Sequence, residues 1–213
     1  IRTDADLIAT LIEIIGDDAL EPAFRAQALA LPSETDIARE LGGNTDPDAI
    51  HKARNAAITA IATAGQDTLR RLADDAANGE AYSPDAGSAG RRSLRNGALT
   101  FLAFAEGTPE RAAKAYAGAT NMTDLAHALS VLTQRFPDSA ETKEALAAFE
   151  KRFADNALVL DKWFSLQAAI PGEGALDRIK ALMKSKHFIA TNPNRVRSLV
   201  GTLAFSNPTG FHR

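Results

Sequence analysis

The sequence predicts an all-α protein, an α-α superhelix of about twelve short antiparallel helices stacked in the HEAT or armadillo manner. Three observations predict it. Apolar residues recur with a 3.6-residue period along nearly the whole chain, alternation of period 2 is almost absent, and Gly, Pro and capping residues interrupt the pattern at helix-length intervals. Short connections favour antiparallel neighbours, each pair packing mainly on the next, although no strict repeat length is visible.

The elements follow in order. In "DADLIATLIEIIG" the positions Leu7, Ile8, Leu11, Ile12 and Ile15 form one stripe, and Gly16 supplies a stop. "EPAFRAQALAL" accepts Pro22 in its first turn and is ended by Pro32. Ser33 is placed to cap a short helix through Leu41, and Asp46 followed by Pro47 starts a longer one. Ile50, Ala53, Ala57, Ile58 and Ile61 would carry that helix's buried face, and Gly65 divides it from a helix over 66–77. "NGEAYSPDAGSAG", residues 78–90, is small, polar and aperiodic, and reads as a loop. Beyond it lie helices near 91–105, from Pro109 behind a Thr108 cap, over 123–136, and after Ser139 with Leu146, Phe149 and Phe153 buried. "ALVLDKWFSLQAAI" is stopped by Pro171 and Gly172, with Trp163 as a core anchor and Asp161 and Lys162 facing elsewhere. "GALDRIKALMKSKHF" then precedes the closing stretch "TNPNRVRSLVGTLAFSNPTGFHR".

Composition narrows the function classes. A hydrophobic fraction of 45%, a charged fraction of 24% and a net charge of -3 describe a water-soluble protein and exclude a polycationic nucleic-acid binder. The absence of cysteine excludes disulfides and thiolate metal sites, and points to the cytoplasm as the expected compartment. No apolar run approaches the roughly 20 residues of a membrane helix, so no membrane partner is expected. "IRTDADL" carries no signal-peptide pattern.

Chemistry-bearing clusters are sparse. His51, His127, His187 and His212 are scattered, none in an H-E-x-x-H pattern, and surface or helix-end roles suit them. "GSAGRRS" lacks the Lys, the spacing and the strand of a phosphate loop. Arg91, Arg92 and Arg95 form a solvated face or pair with a neighbouring helix. Asp17, Asp18, Asp74 and Asp75 have no evident partner, leaving no candidate for acid-base catalysis. The closing helix differs. Val196, Leu199, Val200 and Leu203 would form its buried stripe, with Arg195 and Arg197 on opposite flanks. Arginine in a first turn opposes the helix dipole, a conflict that a bound carboxylate or a structural Asp or Glu removes equally well.

Five strings in order, "ALALPSE" (28–34), "SLRNGALTFLAF" (93–104), "TNMTD" (120–124), "NALVLDKWFSLQA" (156–168) and "NPNRVRSLVGTLAFSNP" (192–208), resemble the C-terminal domain of bacterial aminopeptidase N, the alanyl aminopeptidase of the gluzincin metallopeptidases. The resemblance spans nearly the whole chain and implies an α-helical superhelix. It implies that residues 1–213 form a single helical domain, a fragment of the C-terminal domain of a larger enzyme, broken by the loop near 78–90. The parent would be a cytoplasmic, membrane-free zinc enzyme that hydrolyses N-terminal residues from peptides. Its H-E-x-x-H helix and G-A-M-E-N loop would belong to an upstream catalytic domain, with no catalytic or zinc residue and no cofactor in this chain. The resemblance further implies that the domain caps the active-site cavity, its partners being the catalytic domain of the same chain and short peptides. Arg197, Asn194 and Arg195 are then the expected cavity-lining residues, with Arg197 favoured to meet a peptide carboxylate. The alternative function is a helical-repeat scaffold whose concave face binds another protein.

Overall fold

A computed structural model describes residues 4–74 and 81–212, and all regular structure among them is helical. The chain divides into two compact units. Unit 1 comprises the residues up to Ser33 together with Lys52–Val131, and unit 2 comprises Glu34–His51 together with the residues from Leu132 onward.

Unit 1 holds α1 (Ala5–Gly16), α2 (Pro22–Ala28), most of α4 (Pro47–Ala64), α5 (Gln66–Asp74), α6 (Ala86–Glu106), α7 (Glu110–Gly118) and the first part of α8 (Met122–Arg135). Its core gathers Ile15, Leu29, Ile58, Ile61, Leu69 and Leu102. Ile15 is the fully buried member of the α1 stripe, whereas Leu7 remains 50% exposed. α1 ends against Arg25, whose Nε and Nη2 donate to the Ile15 carbonyl at 3.0 and 2.6 Å. That buried guanidinium satisfies a C-terminal carbonyl that the helix itself leaves open.

The predicted loop over 78–90 is corrected in part. Residues 78–80 lie outside the described residues, 81–84 are irregular, and Ala86–Gly90 already belong to α6. Asp85 caps this helix by accepting the Ser88 N–H at 2.9 Å. Gly90, the last residue of the predicted loop, serves packing instead, since a Cβ there would stand 2.9 Å from the Ala23 backbone nitrogen, and Gly97 inside the helix does the same, since its Cβ would meet Leu29 at 3.0 Å. Seven residues apart, they open one face of α6 to α2. The helix expected over 66–77 ends at Asp74, and residues 75–77 lie outside the described residues.

Unit 2 holds α3 (Glu34–Leu41), the start of α4, the end of α8, α9 (Ala140–Arg152), α10 (Ala157–Ala168), α11 (Ala175–Leu182) and the closing segment. That segment runs as α12 (Pro193–Val196), a π turn (Arg197–Gly201), α13 (Thr202–Ser206) and α14 (Pro208–Phe211). Ser139 caps α9 through the Thr142 N–H at 3.1 Å. α10 buries Leu160, Trp163 and Phe164, with the Trp163 indole donating to the Leu146 carbonyl at 3.0 Å. Leu158 is 73% exposed, because the inward face of α10 runs through Leu160, Trp163, Phe164 and Ala168.

The second Asn-Pro pair is a clamp. Asn207 is 2% exposed, and its amide donates to the Ala168 and Ile170 carbonyls at 2.9 and 2.8 Å. Its Oδ1 accepts the Gly210 N–H at 2.9 Å, so one side chain starts α14 and ties it to the end of α10. Among the described residues no helix is long and apolar enough to cross a membrane.

Candidate functional site

The candidate site lies at the head of the closing segment in unit 2. Asn192 caps α12, its Oδ1 accepting the N–H groups of Asn194 and Arg195 at 3.0 and 3.4 Å, and Pro193 fills the first helical position. These amides are thereby occupied, so any ligand here is left with side chains.

Arg195 and Arg197 do part company, as their flanking positions predict, but not around the expected stripe. Arg195 is 2% exposed. Its Nη2 donates to the Ala157 carbonyl at 3.2 Å, its guanidinium lies 4.8 Å over the Phe164 ring, and its Nε faces Asp161 Oδ1 at 3.3 Å. All three partners belong to α10, so Arg195 fastens the closing segment to that helix. Asp161, expected to face elsewhere, is the internal countercharge that the first-turn arginine required. Arg197 is exposed and has no ion-pair partner among the described residues, and Asn194 is exposed beside it.

The stripe through Val196, Leu199, Val200 and Leu203 is corrected. Leu199 and Leu203 are buried, Val200 is 39% exposed, and Arg195 and Ser198 complete the inward face. The π turn accounts for this. The Thr202 N–H reaches back to the Arg197 carbonyl, five residues away, while the Ser198 carbonyl accepts from Ser165 Oγ of α10 at 3.0 Å. A side chain that takes a carbonyl out of the helical ladder widens the turn by one residue, keeping residues four apart on one face.

Several other polar groups find structural partners. Arg95 of α6 pairs with Asp124 of α8 at 2.6 Å, and Asn96 and Asn121 donate to the same carboxylate at 3.0 and 2.7 Å. Burial opposes ionisation of Asp124, yet the hydrogen bonds from Asn121 and Asn96 and the Arg95 guanidinium outweigh it and hold its carboxyl below the usual range. A depressed folded-state pKa stabilises the fold above the ordinary carboxylate value of about 4, a contribution lost as pH falls through the lowered value. Asp124→Asn is therefore expected to flatten the acid limb of the stability curve, measured as urea-unfolding free energy between about pH 5 and 2. An acid limb as steep as wild type would contradict this role.

Asp18, expected to be unpartnered, meets Arg25 at 2.9 Å and Arg71 at 3.1 Å, and Asp74 meets Arg111 at 2.7 Å; Asp75 lies outside the described residues. The histidines are less solitary than expected. His51 Nδ1 contacts Glu34 at 2.6 Å, His187 Nε2 lies 3.2 Å from Glu150, and half-buried His127 shares a hydrogen bond with Thr100 at 2.9 Å. Burial pushes the His127 pKa down, favouring the neutral ring. Among the described residues no three His, Cys, Asp or Glu side chains are grouped to hold a metal ion.

Comparison with known proteins shows the family of the chain. Residues 1–213 match the family described as a domain of unknown function (DUF3458_C) with ARM repeats. The chain is 42% identical over 200 residues to an aminopeptidase N of Caulobacter vibrioides, covering 92% of this chain and 23% of that protein. It is 36% identical over 202 residues to an aminopeptidase N of Escherichia coli, covering 93% of this chain and 23% of that protein. Among solved structures, an aminopeptidase A of Legionella pneumophila in complex with aspartic acid superposes with a TM-score of 0.84 at 25% identity, over 99% of this chain and 26% of that one. The chain thus spans about a quarter of the length of these relatives.

Proposed function

The chain belongs to the DUF3458_C family of ARM-repeat domains, the family of the C-terminal helical domain of bacterial aminopeptidase N, and from this premise we propose that it caps the peptide cavity of such an enzyme. The parent would be a cytoplasmic zinc aminopeptidase that removes N-terminal residues from short peptides, and the catalytic domain of the same chain would be this domain's first partner. The residues described here do not fit a metal site, since neither His–Glu pair has a third ligand beside it. By the family relationship, zinc and the hydrolytic step would belong to the catalytic domain of the parent, and this chain's part would be to bind and orient.

One observation carries the proposal to residues: two arginines in one turn have opposite environments. Arg195 is consumed by α10, while Arg197 projects outward without a countercharge among the described residues. In a water-poor cavity an unpaired guanidinium attracts a carboxylate strongly. Arg197 would draw in the carboxyl end of a short peptide, Asn194 would flank it with a neutral amide, and Arg195 would hold both in place.

Arg197→Ala in the full-length enzyme tests this on free-acid and C-amidated forms of one tetrapeptide. The KM for the free acid is expected to rise roughly tenfold, as for a lost charge-assisted hydrogen bond, with little change for the amide. An equal loss on both substrates would reject the carboxylate role in favour of a structural one.

A further inference from the structure

Unit 1 contains a cavity of about 840 Å³ that the proposed function does not use. α6 contributes Arg91, Arg92 and Arg95 to its lining, α7 contributes Arg111 and Lys114, and Leu99 and Ala115 supply apolar surface.

The internal pairings decide what this lining offers. Arg95 is committed to Asp124 at 2.6 Å, and Arg111 to Glu106 at 2.9 Å and Asp74 at 2.7 Å. Arg91 donates to Ser88 Oγ at 2.9 Å. Among the described residues Arg92 is held without a carboxylate: its guanidinium lies 4.7 Å over the Tyr82 ring, and its Nη1 donates to the Ser83 carbonyl at 2.8 Å. Lys114 is exposed and forms no ion pair among the described residues. Glu110, one turn before Lys114, is the lining carboxylate left over, held ionised by a hydrogen bond from Thr108. Two cations, one a guanidinium fixed in orientation by stacking, thus border apolar surface on different helices.

We propose that this cavity binds an extended peptide segment through one acidic side chain, the carboxylate lying between Arg92 and Lys114 and the apolar part of the segment on Leu99 and Ala115. With Nη1 engaged by the Ser83 carbonyl and Nε buried, Arg92 keeps Nη2 to meet a carboxylate, in an orientation fixed by the stacking on Tyr82. Among the described residues five cations (Arg91, Arg92, Arg95, Arg111 and Lys114) and four carboxylates (Asp74, Glu106, Glu110 and Asp124) line the cavity, a balance that suits one added carboxylate better than a multiply charged phosphate or nucleic acid. The segment can come from a free peptide or from an acidic stretch of the parent chain beyond these residues. The proposal is independent of Arg197, which lies in unit 2.

Calorimetric titration of the 213-residue chain with acetyl-Leu-Asp-Leu-amide and its Asn counterpart tests it. The Asp peptide is expected to bind at least tenfold more tightly, with that preference lost in Arg92→Gln and in Lys114→Gln, the latter an exposed substitution that leaves the fold intact. Lys52→Gln, on α4 and away from the lining, is expected to change nothing. Repeating the titration on the full-length parent separates the sources: retained binding identifies a free peptide, and binding lost only in the parent identifies a segment of its own chain. Equal affinity for the two peptides, an Asp preference that survives both substitutions, displacement of the Asp peptide by inorganic phosphate as readily as by acetate, or no binding to the folded chain would each overturn the proposal.

Discussion

Asp161→Ala is expected to destabilise unit 2 by about 3 kcal/mol or more, the usual cost of leaving a buried charge without its countercharge. Arg195 is 2% exposed, and Asp161 is the carboxylate that faces it. Removing the carboxylate strands a guanidinium that keeps only the Ala157 carbonyl and the Phe164 ring as partners. Arg195→Met is expected to cost less, about 1 kcal/mol, because a similar apolar volume still fills the space over Phe164 and no cation remains buried. Asp161 is left better provided for, with Ser198 Oγ 3.4 Å away and a side chain 18% exposed to water. Urea unfolding followed by the fluorescence of Trp163, a unit 2 residue, measures both variants. A loss in Asp161→Ala no larger than in Arg195→Met would contradict the buried-pair account.

Gly90→Ala is expected to destabilise unit 1 by about 1–3 kcal/mol, the typical cost of overpacking, although alanine is the better helix former by about 1 kcal/mol. The added Cβ would meet the Ala23 backbone nitrogen at 2.9 Å and the Ala23 Cα at 3.3 Å, neither of which is able to rotate away. α2 itself must shift. Gly118→Ala supplies the contrast: beyond its own helix backbone and chain neighbours, no atom of the described residues lies within 4 Å of a Cβ there, and its backbone is not left-handed. That substitution is expected to stabilise by about 0.4–1 kcal/mol, chiefly through the unfolded chain. In thermal unfolding the two substitutions should move Tm in opposite directions, by about 2–4 °C per kcal/mol in a chain of this size. A Gly90→Ala protein as stable as wild type would mean that α2 and α6 do not pack this closely.

These contrasts show where the sequence was legible. Helices with strong periodicity and ordinary caps could be placed from local signals, as at Pro47 after Asp46, at Ser139, and at both Asn-Pro pairs. Glycine misled at the start of α6, because it signals both a break and a close helix crossing, and the crossing depends on Ala23, far away in sequence. The signal that could have decided was local: Asp85 three residues before Ser88 is a capping pattern.

The site was legible in its outline and illegible in its faces. Asn192, Pro193 and the opposed arginines follow from spacing alone. The π turn does not, because it depends on Ser165, 33 residues away, taking the Ser198 carbonyl. Nor does the choice of buried arginine, which is made by Asp161 and Phe164 on α10. The cavity in unit 1 escaped the sequence for a related reason: "GRRSLRN" shows three arginines, but only packing reveals that Arg95 is paired and Arg92 stacked on Tyr82.

The central claim, that the head of the closing segment faces a peptide's carboxyl end inside an aminopeptidase, is tested most directly by photocross-linking. A short peptide carrying a photoreactive residue next to its free C-terminal carboxylate is illuminated with the full-length enzyme, and the labelled residues are located by mass spectrometry. The label is expected on Asn194 to Arg197, and to fall sharply in Arg197→Ala. Labelling confined to other parts of the enzyme, unchanged by that substitution, would contradict the account.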